Sequence, residues 1–386
     1  MSAVPPTSRA DRLQKRFPVD LDKFLPDIIK RNYGKWIDRK FHGAGIIEHI
    51  SETGERVFAV KVALPPNARL SADTLEKFAD IADKLGVGAM RVTMAGNLEL
   101  LTDSLDRALK IKEEVEKMGF PVGGWGGSLW GINSCTAYLT CTTAVVDSVS
   151  ITKAIGDALA PYFTGQEKLP AKLRVFVSGC PSACAGGTAI DIAVVGMWGA
   201  APKIREEVLP LCLPPPKALA KIPEAQVFIV QVCPTGALTL RREGEKIRLM
   251  LIPERCINCA RCKDNCDAFD YDPENVGVAI LVGGRMSNTG TGPKLGRVLI
   301  PWLPAVPPRY EEIVAVVKRV VDVWREHAQP GERLADFIDR VGWPKFVEMV
   351  GLNAMRDHYV WTPDYAKTFM TYRSRGDLFP RLRESV

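Results

Sequence analysis

An α+β fold is the class this sequence predicts, and three observations carry it. Between residues 55 and 118 strand-like and helix-like patterns alternate as β-α-β-α. A compact cysteine-rich segment then occupies about 213–276. Beyond it an apolar strand pattern resumes at Val276 to Val282, as when a chain leaves a domain, builds an insert and returns.

Val57 to Val62 reads as the first strand. From Thr74, the spacing of Leu75, Phe78, Ala82 and Leu85 puts four apolar side chains on one helical face, with Asp73 as N-cap and Gly86 as stop. Met90 to Leu101 reads as one strand, and Leu105, Ala108, Leu109, Lys112 and Val115 mark a second helix. The Gly/Trp-rich run from Pro121 to Asn133 is a loop, or backbone that closes on something flat or bulky. Lys172 to Ser178 and Ile190 to Val195 are strand-like and flank a cysteine pair. Three consecutive prolines within Leu213 to Lys217 predict a stiff, extended connector. Tyr310 to Trp324 and Leu334 to Val350 read as helices, and the tail to Val386 is polar and aromatic. The resulting division is an N-terminal arm (1–50), a small α+β unit (51–120), a larger domain in two pieces (121–212 and 277–330), the insert (213–276) and C-terminal helices with a tail (331–386).

The chain has 386 residues, 46% hydrophobic and 25% charged, enough for two or three domains with real cores. No apolar run reaches about eighteen residues, so no membrane span is expected. The opening MSAVPPTSRADRLQKRF lacks an apolar stretch after its charges, so no export leader is expected and a cytoplasmic location follows. In that reducing setting ten cysteines predict metal binding rather than disulfides. The net charge of +6 comes from scattered Lys and Arg, which suits an anionic cofactor or substrate better than nucleic acid.

The sharpest motif is Cys256-x2-Cys259-x2-Cys262-x3-Cys266. A tight loop of this kind wraps three corners of a 4Fe–4S cubane, and the fourth thiolate comes from elsewhere in the chain. Cys233-Pro-Thr-Gly-Ala supplies it, so Cys233, Cys256, Cys259 and Cys262 form one ligand set. Zinc is the competing reading, but zinc ribbons use two separated C-x2-C pairs rather than three cysteines in seven residues. Cys266, followed by Asp267 rather than proline, reads as a packed thiol, and Cys212 has no partner by spacing. A second set, Cys135-x5-Cys141 and Cys180-x3-Cys184, can close on another cubane, although buried free cysteines share that pattern. Small residues crowd the second pair, SGCPSACAGG from Ser178 to Gly187, as a backbone under a macrocycle needs.

C-x5-C followed by C-x3-C in a Gly-Cys-Pro context resembles the sirohaem-binding signature of sulfite and nitrite reductases. An inserted ferredoxin module narrows the resemblance to the dissimilatory sulfite reductases. Gly277 to Lys294, Ile300 to Tyr310 and Arg340 to Leu352 look like their beta subunit. The resemblance implies a nitrite/sulfite reductase-like sirohaem fold whose ferredoxin-like half domain is 51–120 and whose inserted ferredoxin-like 4Fe–4S domain is 213–276. It implies a sirohaem and two 4Fe–4S clusters. One cluster is held by Cys135, Cys141, Cys180 and Cys184, with Cys184 bridging to the haem iron. Lys172 and Arg174 stand where the family places cations facing the distal pocket, and such donors can bind sulfite as it is reduced. Arg91, Arg285, Lys294 and Arg297 are candidates for the sirohaem carboxylates, each set against the reading of a solvated surface charge. Expected partners are an alpha subunit in an α2β2 assembly and a small sulfur-carrier protein of the DsrC type.

Two departures stand out. The family's Thr-x-Arg-x-Asn reads here Thr93-Met94-Ala95-Gly96-Asn97, so that arginine is missing. Many beta subunits lack the first cysteine of C-x5-C, whereas this chain has Cys135. The competing readings are a sirohaem nitrite or assimilatory sulfite reductase and a non-catalytic electron-transfer or scaffold subunit. His42, His49, His327 and His358 lack ligand spacing, and Trp125 and Trp130 suit packing as well as covering a cofactor.

Overall fold

The computed structural model describes residues 24–243, 246–286 and 292–352. The first residues of the expected arm and the aromatic tail beyond 352 lie outside the described residues. The chain divides into two compact units, and the division runs through one helix and two strands. Among the described residues the first unit is 24–133, 156–174 and 329–333; the second is 134–155, 175–328 and 334–352.

The first unit begins with α1 (Asp27–Arg31), β1 (Trp36–His42), β2 (Ile46–Ser51) and β3 (Arg56–Ala63). It continues through α2 (Ala72–Leu85), β4 (Met90–Val92), β5 (Asn97–Thr102) and α3 (Leu105–Lys117) to β6 (Leu129–Ser134). The five strands β1-β2-β3-β5-β4, in that order, make an antiparallel sheet. Strand alternation sends Ile46, Phe58, Val60, Val62, Leu98 and Leu100 to one face, where Phe78, Ala82, Ala108, Ile111 and Val115 of the two helices cover them. Three expectations are corrected here. The arm expected over 1–50 contains β1 and β2; β1 is a largely exposed edge strand whose charges hide its apolar alternation. The single strand expected from Met90 to Leu101 is two strands around the Thr93–Gly96 turn, where Gly96 takes φ 73°. The cap of α2 is Ser71, whose hydroxyl accepts from Thr74 N at 3.2 Å, while Asp73 sits in the first turn.

The second unit holds the first half of α4 and most of β7, then β8, as α4 (Ser148–Thr164), β7 (Leu173–Ser178) and β8 (Ile192–Trp198). The insert follows: β9 (Lys203–Ile204), α5 (Pro216–Leu219), α6 (Phe228–Gln231), β10 (Leu238–Glu243), β11 (Lys246–Leu251), α7 (Arg261–Asn265) and β12 (Phe269–Asp270). Then come β13 (Val276–Val282), β14 (Arg297–Pro304), α8 (Glu311–His327), α9 (Leu334–Val341) and α10 (Trp343–Val350). Neighbouring strands run β14-β13-β8-β7, with β7 parallel to β8 and the other pairs antiparallel. Nearly every residue of β8 and β13 is buried, which is why both read as continuous apolar runs rather than alternating ones. The helix expected over 334–350 is two, because Gly342 (φ 83°) turns the backbone between them.

The insert packs its own small core from Leu219, Ile229, Leu238, Leu240, Leu249 and Phe269. The proline connector turns helical at Pro216, the first position of α5, where a missing N–H costs nothing. Cys212 and Cys266 form a disulfide with a Cα–Cα distance of 5.7 Å across a separation of 54 residues. This corrects the reading of Cys266 as a packed thiol and of the ten cysteines as disulfide-free; so wide a separation leaves no spacing signal. Among the described residues no helix is long and apolar enough to cross a membrane.

Candidate redox and anion site

Cys256 follows a single 3-10 turn, Cys259 lies in the loop beyond, and Cys262 sits on α7. Asn258 (φ 53°) and Ala260 (φ 59°) take the left-handed conformation that curls this loop, and the Asn258 amide donates to Trp198 O at 3.0 Å, tying it to β8. Cys233 follows α6, and its sulfur accepts Ala237 N–H at 3.2 Å. The four thiols lie within one another's fields: Cys256 feels Cys259 and Cys233, and Cys262 feels Cys256 and Cys259. Burial pushes Cys256 up to about 11 and Cys262 up to about 12, and raises Cys259. Burial also opposes the Cys233 thiolate, but the amides of Thr235, Leu238 and Ala237 and the Thr235 hydroxyl outweigh it and lower that pKa. Amide donors aimed at neighbouring sulfurs are what cluster thiolates require, so this donor set fits a cubane. Among the described residues no three Cys, His, Asp or Glu converge on one point as they would around a single ion.

The second cysteine set lies in the same unit. Cys135 N donates to Val177 O at 3.2 Å, and the Cys135 sulfur accepts Gly179 N–H at 3.1 Å. Cys141 closes a short turn onto Ala137 O at 2.8 Å, and its sulfur lies 3.3 Å from the Thr143 hydroxyl. The same hydroxyl stands 3.9 Å from the buried Cys180, while Cys184, after left-handed Ala183, is exposed. Burial first, then Cys180, Cys135 and Cys141, raises the Cys184 pKa, which places all four thiols in one neighbourhood. Asp264 of α7 acts on Cys141, so the helix carrying Cys262 stands close to the second set. Part of the small-residue signal belongs to packing: a Cβ on Gly196 would stand 2.3 Å from Gly179 O.

Of the expected cofactor cations, Arg285, Lys294 and Arg297 gather in the second unit around Asp336 and Asp339 of α9. Arg285 is fully buried, pairing with Asp336 and donating to Gly292 O from Nε at 3.1 Å and Nη2 at 2.7 Å. Lys294 and Arg297 instead line a cavity of about 330 Å³ with Gly283, Ala335, Ile338 and Asp339. Arg91 is in the first unit, where it meets the buried Glu99 at 2.5 Å.

Lys172 and Arg174 flank Leu173, the first residue of β7. The Lys172 ammonium lies 4.7 Å from the Trp130 ring centroid. Sequence reasoning missed a neighbour, Lys61. It is 3% exposed, donates to Gly124 O at 3.0 Å and sits 3.4 Å from the centroid of Trp125 and 4.7 Å from that of Trp130. The signal was a lone lysine inside the apolar run RVFAVKVA. The Gly/Trp-rich run therefore closes over Lys61: Gly124 has φ 86°, and a Cβ there would lie 3.0 Å from Lys61 Cδ. Ala95, at the position of the missing arginine, abuts Gly131, where a Cβ would come within 2.5 Å of the Ala95 Cβ. His42 is engaged by Glu48 at 2.7 Å, His49 lies among buried neighbours, and His358 lies outside the described residues.

Sheet, insert and cysteine sets together define an α+β oxidoreductase of the iron–sulfur type. The chain belongs to the nitrite and sulfite reductase family: that family's 4Fe-4S domain matches residues 125–357, and its ferredoxin-like half domain matches 49–118. It is 34% identical to the beta subunit of dissimilatory-type sulfite reductase from Archaeoglobus fulgidus, over 89% of this chain and 93% of that one. With the same subunit from Nitratidesulfovibrio vulgaris it shares 30% identity, over 90% and 91%. A crystal structure of dissimilatory sulfite reductase I shares the fold, with TM-score 0.71 and 22% identity, over 84% of this chain and 79% of that one.

Proposed function

We propose that this chain is the beta subunit of a dissimilatory sulfite reductase, reducing sulfite to sulfide or a bound sulfur intermediate. The observation that carries the reading is the presence of two complete four-cysteine sets in one unit, with α7 of the first close to Cys141 of the second. In this reading Cys233, Cys256, Cys259 and Cys262 hold a ferredoxin-type cluster, and Cys135, Cys141, Cys180 and Cys184 hold a second cluster coupled to sirohaem. When bound, the haem and clusters deliver the electrons that the reduction consumes. The protein's share is to present amide donors to the sulfurs and cations to the anions. Lys172 and Arg174 bind sulfite, and Arg91, Arg285, Lys294 and Arg297 meet the carboxylates of the macrocycle. Lys294 and Arg297 are the better placed: although both pair with Asp339, they line a cavity, whereas Arg285 is fully buried against Asp336 and Gly292.

The partners in this reading are an alpha chain in an α2β2 assembly, a small sulfur-carrier protein that accepts the product, and sulfite, all in the cytoplasm. A second reading, an iron–sulfur scaffold whose partner performs the chemistry, is favoured by one observation: Ala95 abuts Gly131 where the family carries an arginine. The test is sulfite-dependent oxidation of a reduced viologen dye by the assembly isolated from its host, with sulfide measured. Turnover that falls when Lys172 or Arg174 of this chain loses its charge supports catalysis here. Turnover indifferent to both substitutions supports the scaffold.

A further inference from the structure

The β3 strand sends Val57, Ala59 and Lys61 to the sheet face opposite the helices. Lys61 stands directly across from Glu99 on β5, and Glu99 across from Arg91 on β4, so the three charges form one row over three strands. Arg91 closes on Glu99 at 2.5 Å. The face also carries His49 of β2, which feels Arg91 and Arg39. Above the row, Trp125 and Trp130 meet edge to face at 5.2 Å and enclose the Lys61 ammonium. The Lys172 ammonium lies over the same Trp130 ring at 4.7 Å, the distance Lys61 also keeps. The two charges therefore stand no farther apart than twice that distance.

We propose that Lys61 is a positioning residue for Lys172: the two ammoniums share the Trp130 indole, and the buried one fixes where the half-buried one stands and how tightly it keeps its proton. This rests on the reading of Lys172 as a sulfite-binding cation. Two arguments support it beyond the shared ring. First, a buried ammonium is a costly way to fill space that a methionine would fill without cost. Burial takes the Lys61 pKa down to about 8; Glu99 opposes the shift, while Arg91 and Lys172 add to it, so the two lysines already act on each other. Second, the backbone is built for this lysine. Left-handed Gly124 leaves room for its stem and turns a carbonyl onto its head. Repulsion across the ring makes Lys172 release a proton more readily, which suits a cation beside an anion whose reduction consumes protons.

The experiment reads Lys172 directly. The assembled protein is labelled with acetic anhydride over a range of pH, and the extent at Lys172 is followed by mass spectrometry in wild type, K61M and K61R. Below about pH 8, where Lys61 still carries its charge, and at an effective dielectric constant near 20, removing that charge slows labelling of Lys172 by about tenfold in K61M; at higher pH, where Lys61 is neutral, the two proteins label alike. K61R, which keeps the charge, leaves the neutral-pH labelling rate in place. An unchanged neutral-pH rate in K61M overturns the proposal, and so does an equal slowing in K61R, which would make size and not charge responsible. Sulfite turnover indifferent to K172M overturns the reading of Lys172, and this role for Lys61 with it, even if the labelling rate changes. Turnover that depends on Lys172 with an unchanged labelling rate sinks the Lys61 role alone.

Discussion

Replacing Lys61 by methionine also has a consequence for stability, and the structure gives its size and sign. Burial holds the Lys61 pKa at about 8 against an ordinary 10.5. Each unit is about 1.4 kcal/mol, so the buried ammonium costs the folded state about 3 kcal/mol. The folded chain binds fewer protons than the unfolded chain between these two values. The cost is therefore complete below about 8, falls as pH rises, and is gone above about 10.5. Methionine removes it but leaves Gly124 O without its donor, which gives back about 1 kcal/mol. Lys61→Met should stabilise the protein by about 2 kcal/mol at neutral pH, and by little or nothing above the unfolded-state pKa. Urea midpoints of wild type and variant, compared at neutral and strongly alkaline pH with equal iron content, measure the difference. Tryptophan fluorescence follows the transition, since Trp125 and Trp130 enclose the site. A variant less stable than wild type at neutral pH, or an advantage that does not shrink at high pH, would refute the assignment of Lys61 as a costly buried cation.

Cys259→Ala should remove about four irons per chain while leaving the sirohaem absorption in place; stoichiometric zinc without acid-labile sulfide in wild type contradicts the ferredoxin reading. Neutralising Lys172 or Arg174 should slow sulfite reduction by about 10²-fold with iron content unchanged, on the scale of one preorganised donor. Cys212→Ser opens the disulfide that closes 54 residues of the insert and should cost that module about 4 kcal/mol, read by faster proteolysis between α5 and β12. Equal proteolysis of the two forms would show that the link does not hold the module together.

The legible parts of the fold were those with one dominant periodicity. Phe78 and Ala82 of α2 and Ala108 and Val115 of α3 repeat at helical spacing because one face of each helix is buried against the sheet. Central strands β8 and β13 were plain as unbroken apolar runs. Edge strand β1 was not, since a strand with few buried residues has no alternation to read. Neither was the break at Gly342, where apolar residues continue on both sides of the turn. That the members of each cysteine set lie near one another was legible because short local spacing keeps them close. The Cys212–Cys266 link joins positions far apart in sequence, and Lys61 meets Trp130 only through tertiary packing. Such contacts leave no local pattern.

In the proposed function this chain's own second cysteine set would hold a cluster coupled to sirohaem, and Cys184 is the residue that would join the two. Mössbauer spectra of ⁵⁷Fe-enriched wild type and Cys184→Ser, recorded on the intact assembly, test it most directly. Magnetic coupling between haem iron and cluster in wild type, lost in Cys184→Ser while the ferredoxin-type signal persists, is the expected result. Coupling that survives in Cys184→Ser, or is lost instead in Cys135→Ser or Cys180→Ser alone, would contradict it.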